Sequence, residues 1–372
     1  MNRRPSRSRE SIDSFSPHNL ESFRLREHRH TSFLIKKPSS AFKPFFYVLV
    51  LILVLTGINT LSNLFVRVQE ITVPVIGLTE AFDGFTILHI TDLKGHSFGR
   101  DQKTLRMALD KKKFDLVALT GDMISPQGNA EPFYALLDML KEIAPGVPVV
   151  FIAGDEDPEP LSLTYASSGT PQAPWIIGAQ MRGALHLTSP LVFSEEEQQL
   201  FVSPLTLNTL DLSTLQEPYE RAYVDALSSG DEIRTELAEM NLNTLEEIRT
   251  ARRKMRQEDA YLALTHVPPD LTRITGRLTD LPGNTSLILC GNHLGGLFRL
   301  PLIGPVYLPA GSSSQGSFFP GDRTFTGSER IGSTTVCYSS GLGFVDRHYP
   351  KWLFRFCNPP SVNLISLTPS KM

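Results

Sequence analysis

Short apolar runs, each closed by a polar turn, recur along the chain. Phe85-Thr86-Ile87-Leu88-His89-Ile90 ends in Thr91-Asp92-Leu93-Lys94, and Phe114 to Leu119 ends in Thr120-Gly121-Asp122. Between them Leu105, Met107, Ala108 and Leu109 lie among Lys and Arg at helical spacing. The stretch therefore predicts strand, helix, strand, with a right-handed crossover and parallel strands. A helix over Phe133 to Ile143 stops at Pro145-Gly146, and Val147 to Ile152 predicts a third buried strand, closed by Ala153-Gly154-Asp155-Glu156-Asp157-Pro158. Tyr261 to Thr265 and Leu287 to Cys290 predict two more strands. The first ends at His266-Val267-Pro268-Pro269-Asp270 and the second at Gly291-Asn292-His293-Leu294-Gly295-Gly296.

Weaker patterns fill the rest. Val68 to Val75 alternates polar and apolar residues, as a half-buried edge strand does. Trp175 to Arg182 reads as a short helix, and Leu191–Phe193 is expected to pair with Leu200–Val202 around Ser194-Glu195-Glu196-Glu197-Gln198. Charged residues dominate 215 to 257, where Leu237, Met240, Leu245, Ile248 and Met255 recur at helical spacing. This predicts two or three solvated helices, an inserted segment of about residues 205–257 with no chemistry of its own. Residues 304 to 328, rich in Gly, Ser and Pro, read as an ordered loop; Thr334–Tyr338 and Val362–Leu367 complete the strands.

One stretch differs from all of these. Residues 44 to 66 carry no charge and include the unbroken apolar run Phe45 to Leu55, long enough to span a bilayer as a helix. Lys36, Lys37 and Lys43 precede it and only Arg67 follows closely, so the positive-inside rule predicts a cytoplasmic amino terminus and an exported domain from residue 68 to 372. A cleaved signal peptide is disfavoured by the long preceding tail and by the absence of a small-x-small motif after the run. Residues 1–43 carry ten basic side chains against four acidic ones, with little apolar content, and are expected to be a disordered tail against anionic lipid.

Over the whole chain 36 basic residues face 39 acidic ones, so outside the tail the body is net acidic, which argues against nucleic acid as its ligand. Cys290, Cys337 and Cys357 are too few for a disulfide framework or a zinc knuckle and are expected to be buried filler, with a Cys337–Cys357 pair left open.

The candidate chemistry lies at the strand ends, where open α/β sheets build their sites. Each Asp taken alone has an ordinary alternative as a cap of the following turn. Five strands, however, end in Asp92, Asp122, Asp155 with Glu156, His266, and Asn292 with His293. In that order and spacing, from about residue 72 to 368, the chain resembles the calcineurin-like metallophosphoesterases, particularly their membrane-anchored bacterial branch. Gly295-Gly296, Arg299-Leu300-Pro301, Ser340-Gly341-Leu342-Gly343 and Asn358-Pro359-Pro360 also match that branch. The resemblance implies a four-layer α/β/β/α sandwich, here preceded by one transmembrane helix, with a two-metal site at the strand ends.

The family's ligand pattern is Asp-x-His, Gly-Asp, Gly-Asn-His-Asp/Glu, a lone His and Gly-His-x-His. Asp92, Asp122 and His266 match it. The resemblance sets Lys94 where the first His belongs, Asp155 at the Asn ligand and Glu156 at the His that protonates the leaving group. Asn292 and Leu294 stand at the last two His positions, with His293 between them. The implied metal using Asp92, residue 94, Asp122 and residue 294 keeps two oxygen donors and gains an ammonium, which neutralises carboxylates without coordinating. The implied second metal, at Asp122, Asp155, His266 and Asn292, keeps four donors, rich in oxygen, suited to one Mn²⁺, Mg²⁺ or Ca²⁺ ion.

Two functions follow from the resemblance. One is a membrane-tethered binding or regulatory pseudoenzyme without the two-metal chemistry. The other is a phosphohydrolase with one metal, with Lys94 steadying the phosphate and Glu156 as general acid. In both, the expected ligand is a phosphorylated small molecule or lipid. His96 and His293 are set aside as substitutes, the latter because alternation turns it away from its neighbours' face.

Overall fold

The computed structural model describes residues 42–125, 127–195, 198–256, 259–269, 285–300, 303–308, 316–320, 325–344 and 355–370. The expectations for the basic tail before residue 42, for Glu196 and Glu197, and for Asp270 lie outside these residues. The chain divides into two compact units, 1–56 and 57–372.

In the first unit, helix α1 (Phe42–Asn63) begins, and its residues 43–56 are exposed to the surroundings. Lys43–Asn63 is long and apolar enough to cross a membrane, with a mean hydropathy of 2.2. In the second unit, Asn59 and Asn63 near the end of α1 each donate a side-chain hydrogen bond of 2.8 Å to the Arg355 carbonyl. Asn59 Oδ1 in turn accepts from the Cys357 amide.

Two six-stranded sheets make up most of the second unit. The first runs β1 (Arg67–Ile76), β15 (Ser361–Ser370), β2 (Thr86–Ile90), β3 (Leu116–Thr120), β4 (Val149–Ile152), β5 (Ala184–His186). Strands β2 to β5 are parallel, as helix-bearing crossovers require; α2 (Lys103–Leu109), α3 (Glu131–Ile143) and α4 (Pro174–Met181) lie in those crossovers. The second sheet runs β13 (Gly327–Ile331), β14 (Thr334–Tyr338), β9 (Thr285–Cys290), β8 (Ala260–Leu264), β7 (Gln198–Pro204), β6 (Leu191–Glu195). Its central strands β14, β9, β8 and β7 are parallel, and β3, β8 and β9 are buried at every position, which is why they read as unbroken apolar runs. The hairpin β6–β7 pairs Leu191 with Val202 and Phe193 with Leu200.

The two sheets pack face to face over one shared core: Val73, Ile87, Leu116, Ala118 and Val150 from the first meet Val202, Leu262, Leu287, Leu289 and Cys337 from the second. Leu105, Phe133, Leu137, Leu140, Trp175 and Ile176 bring α2, α3 and α4 onto the outer face of the first sheet. On the outer face of the second, Leu205 of α5 (Leu205–Thr209) and Met255 pack against Phe201, Tyr261, Ile288 and Val336. The chain is thus the α/β sandwich expected, with helices outside two sheets.

Three local expectations change. Residues 304–328 contain β11 (Gly304–Leu308) and β12 (Ser317–Phe318), which with β10 (Phe298–Leu300) form a three-stranded antiparallel sheet; β11 opens with Gly304-Pro305 and is half-buried along most of its length without alternation, and β12 has only two residues. Cys357 is exposed rather than buried, and all three cysteines are free thiols. The charged segment forms α6 (Leu212–Ser229) and α7 (Glu232–Lys254), paired lengthwise, and α7 buries Ala238, Leu245, Ile248 and Ala251 on one face.

Candidate functional site

The carboxyl ends of β2, β3, β4, β8 and β9 meet at one edge of the sandwich. Asp92 and Asp122 follow β2 and β3 and are fully buried; Asp155 and Glu156 follow β4; His266 follows β8; Asn292 follows β9. The strand ends approach so closely that side chains are excluded between them. A Cβ on Gly154 would lie 2.1 Å from Asp122 Oδ1, and one on Gly291 would lie 2.1 Å from Thr91 Oγ1. Asp92, Lys94, Asp122, Asn292 and Leu294 all hold positive φ, between 48° and 65°. Asp and Asn tolerate this left-handed geometry; for Lys94 and Leu294 it is strained, as is common where function fixes the backbone.

Lys94 sits among the carboxylates. Its Nζ lies 2.6 Å from Asp122 Oδ2, 2.7 Å from Glu156 Oε2 and 3.9 Å from Asp92 Oδ1, and its side chain is 8% exposed. Burial opposes the ammonium, but Asp122, Asp92 and Glu156 outweigh it and hold its pKa far above the usual lysine range. The same contacts help Asp122: burial disfavours its charge, yet His266 and Lys94 outweigh that and lower its pKa. Asp92 is raised, chiefly by burial.

His266 faces the other side of Asp122. Its Nδ1 is 2.8 Å from the Thr120 carbonyl, an acceptor, so Nδ1 carries the proton and Nε2 faces Asp122 Oδ2 at 3.1 Å and Asp155 Oδ1 at 3.0 Å. Neither of those contacts has hydrogen-bond angles. Two carboxylate oxygens around a ring lone pair repel unless a cation or a proton lies between them. Accordingly, although burial pulls the imidazolium down, the contacts with Asp122 and Asp155 raise the His266 pKa well above its ordinary value.

The site thus has two places that call for positive charge. One holds the Lys94 ammonium. The other, beside His266, suits a proton or one divalent ion. Asp92 Oδ1 and His266 Nε2 are buried without a hydrogen-bond partner among the described residues, as ligand atoms facing an ion would be; Asn292 Nδ2 is also buried and unpartnered, but an amide NH2 is a donor, and only its Oδ1 turned inward would coordinate. Ligand atoms of Asp92, Asp122 and His266 lie within 4.8 Å of one another. With Asp122 Oδ2 and Asp155 Oδ1 at 3.1 and 3.0 Å from His266 Nε2, the residues fit one ion that Asp122, Asp155 and His266 would hold, with Asp92 and Asn292 at the edge. They do not fit two, because residue 94 is an ammonium and Leu294 is an apolar side chain, 2% exposed.

Of the remaining residues singled out, Asn292 donates its amide to Asp92 Oδ2 at 3.0 Å, and the Glu156 amide donates to Asp122 Oδ1 at 3.0 Å. His293 packs edge-on against Phe325, and His96 against Phe98 and Phe344. Two supporting residues carry no sequence expectation. Asp157 accepts the amides of Ile124 and Gly154, and its pKa is pushed up to about 6 by burial and the Asp122 charge. Arg355 is fully buried, and among the described residues no carboxylate is hydrogen-bonded to it. It donates to the carbonyls of Asn358, Gly341, Gly343, Leu294 and Ser340, tying together the loops behind Asp92 and Asn292. Its only trace in the sequence is a lone cation in the apolar run Trp352-Leu353-Phe354-Arg355-Phe356.

The profile of the calcineurin-like phosphoesterase family matches residues 85–291, from β2 to the end of β9. No curated protein matches the chain. Among solved structures, a phosphopantetheinyl hydrolase (PptH) from Mycobacterium tuberculosis is 12% identical, covering 78% of this chain and 98% of that one at a TM-score of 0.36. The protein TT1561 from Thermus thermophilus is 11% identical, covering 70% and 90% at a TM-score of 0.35.

Proposed function

The chain belongs to the calcineurin-like phosphoesterase family, and we propose that within it this protein is a membrane-associated phosphoester-binding member with a degenerate two-metal site. In this reading Lys94 takes the place of one cation, and the protein binds a phosphorylated ligand without standard two-metal hydrolysis. The observation that carries the reading is the Lys94 ammonium between Asp122 and Glu156, at 2.6 and 2.7 Å. A strongly basic ammonium at that point removes the electrostatic demand for an ion and supplies no lone pair to hold one.

The side chains divide the remaining work. Lys94 and the His266 imidazolium present positive charge to a phosphoryl group. Asp92 and Asp122 hold those cations, and Glu156, paired with Lys94, limits its reach. An ion at Asp122, Asp155, His266 and Asn292 would act as a Lewis acid toward a phosphoryl oxygen. His266 Nε2, buried and facing the Asp122 and Asp155 oxygens at 3.1 and 3.0 Å, favours a second reading, a phosphohydrolase that works with this single ion. The apolar helix α1 supports attachment to a membrane, with the amino terminus cytoplasmic and the domain outside as the charge asymmetry predicts.

The test is hydrolysis of bis-p-nitrophenyl phosphate by the full-length chain in nanodiscs, with and without Mn²⁺, alongside calorimetric binding of methyl phosphate. Binding without turnover supports the first reading. Mn²⁺-dependent turnover lost in Asp122→Asn would replace it with the second, and no binding at all would end both.

A further inference from the structure

The candidate site continues into a cavity of about 610 Å³. Asp155 and His266 stand at its polar end, and from there it runs between the carboxyl ends of β4 and β8 and the inner face of the α6–α7 pair. Leu187, Leu207, Leu215, Leu245, Ile248 and Leu264 supply most of its wall. Beyond the site residues, the polar lining among the described residues is uncharged: hydroxyls, an amide and the Tyr219 phenol. None of the many charges of α6 and α7 lines it. The helices turn Glu246 and Glu247 outward and Leu245 and Ile248 inward.

We propose that this cavity binds the hydrocarbon chain of an amphipathic phosphoester whose phosphoryl group sits at Lys94 and His266. The proposal rests on the phosphoester-binding reading above. Three observations choose the occupant. A cavity of this size, lined mostly by apolar side chains and, among the described residues, charged at one end only, matches a ligand with one charged end and one apolar end. Among the described residues the lining offers no charged partner for a second polar group, such as a nucleoside or a sugar phosphate, away from the site. The same chain carries a helix apolar enough to cross a bilayer, which gives it access to a pool of such molecules. The charge-rich segment is thereby a specificity element: its inner face sets the length and shape of chain admitted.

The experiment measures Kd for methyl, butyl and octyl phosphate on the full-length chain in nanodiscs, with empty nanodiscs subtracted. Two variants are compared: Thr244→Trp, which fills the cavity from α7, and Glu247→Trp, which adds the same bulk on the outer face of that helix. Each methylene that enters the cavity tightens binding by up to about fourfold, so octyl phosphate binds far more tightly than methyl phosphate. Thr244→Trp collapses that ratio towards one, and Glu247→Trp keeps it. Equal affinity for methyl and octyl phosphate overturns the chain-binding proposal and leaves the phosphoester reading standing. A length dependence that survives Thr244→Trp also overturns it, by putting the chain elsewhere. If no alkyl phosphate binds, the phosphoester reading falls, and this inference with it.

Discussion

Replacing Lys94 by Met removes the ammonium while nearly keeping the side chain's length and the same tolerance of positive φ. At an effective dielectric constant near 20, the attraction is about 6 kcal/mol for each of the contacts at 2.6 and 2.7 Å and about 4 kcal/mol for the one at 3.9 Å. Most of that is offset by the cost of drying the ions, so the sum is no measure of net stability. The variant, however, leaves Asp92 and Asp122 buried and facing no ammonium. Breaking a buried pair in this way costs about 3–5 kcal/mol, which lowers Tm by about 5 °C or more in a domain of this size. The assay is thermal unfolding of the full-length chain in nanodiscs at pH 7, with and without Mn²⁺. Because the vacated point calls for a cation, Mn²⁺ should restore part of the loss in Lys94→Met and stabilise the native chain less. At a hundredfold excess over Kd the restoration is about 2.7 kcal/mol. A variant as stable as the native chain, or equal stabilisation of both by Mn²⁺, refutes the reasoning.

Two further predictions concern groups behind the site. His89 is fully buried, bonded to Thr120 Oγ1, and burial lowers its pKa to about 3. The unfolded chain therefore binds this proton at higher pH than the folded one, and stability is lost as pH falls below about 6.5; the contribution is about 2.5 kcal/mol by pH 4.5. In His89→Gln that part of the acid dependence disappears, as unfolding titrated between about pH 7.5 and 4.5 will show, and an unchanged slope counts against it. Arg355→Lys offers too few donors, and in the wrong geometry, for five buried carbonyls; it should lose about 3 kcal/mol or more and loosen the loops at 294 and 340–343, measured by unfolding and hydrogen exchange.

The central strands rest on signals that a single sequence carries well, whereas their order in the two sheets was not read from it. β3, β8 and β9 are buried at every position, so their apolar runs needed no tertiary information to stand out, and the polar residue closing each run marked the edge where the ends meet. The gathering of Asp92, Lys94, Asp122, Asp155, Glu156 and His266 follows from that strand order. Their roles do not, since an ammonium 2.6 Å from a carboxylate and one turned to solvent look alike in sequence. Other parts were hidden for stated reasons. The recurrence of Leu245 and Ile248 at helical spacing is legible, but the charge around them points to a solvated pair of helices, whereas this narrow stripe faces a cavity. Arg355 makes only contacts with backbone carbonyls, which no side-chain pattern records. β11 opens with Gly304-Pro305 and is half-buried along most of its length, so it shows no alternation, and β12 has only two residues.

The account depends on the Lys94 ammonium standing in for one of two metal ions. The direct measurement is the number of Mn²⁺ ions bound per full-length chain, by equilibrium dialysis and elemental analysis, in the native protein and in the Lys94→His/Leu294→His double variant. The account predicts at most one ion in the native chain and one more in the variant. Two ions bound by the native chain would contradict it.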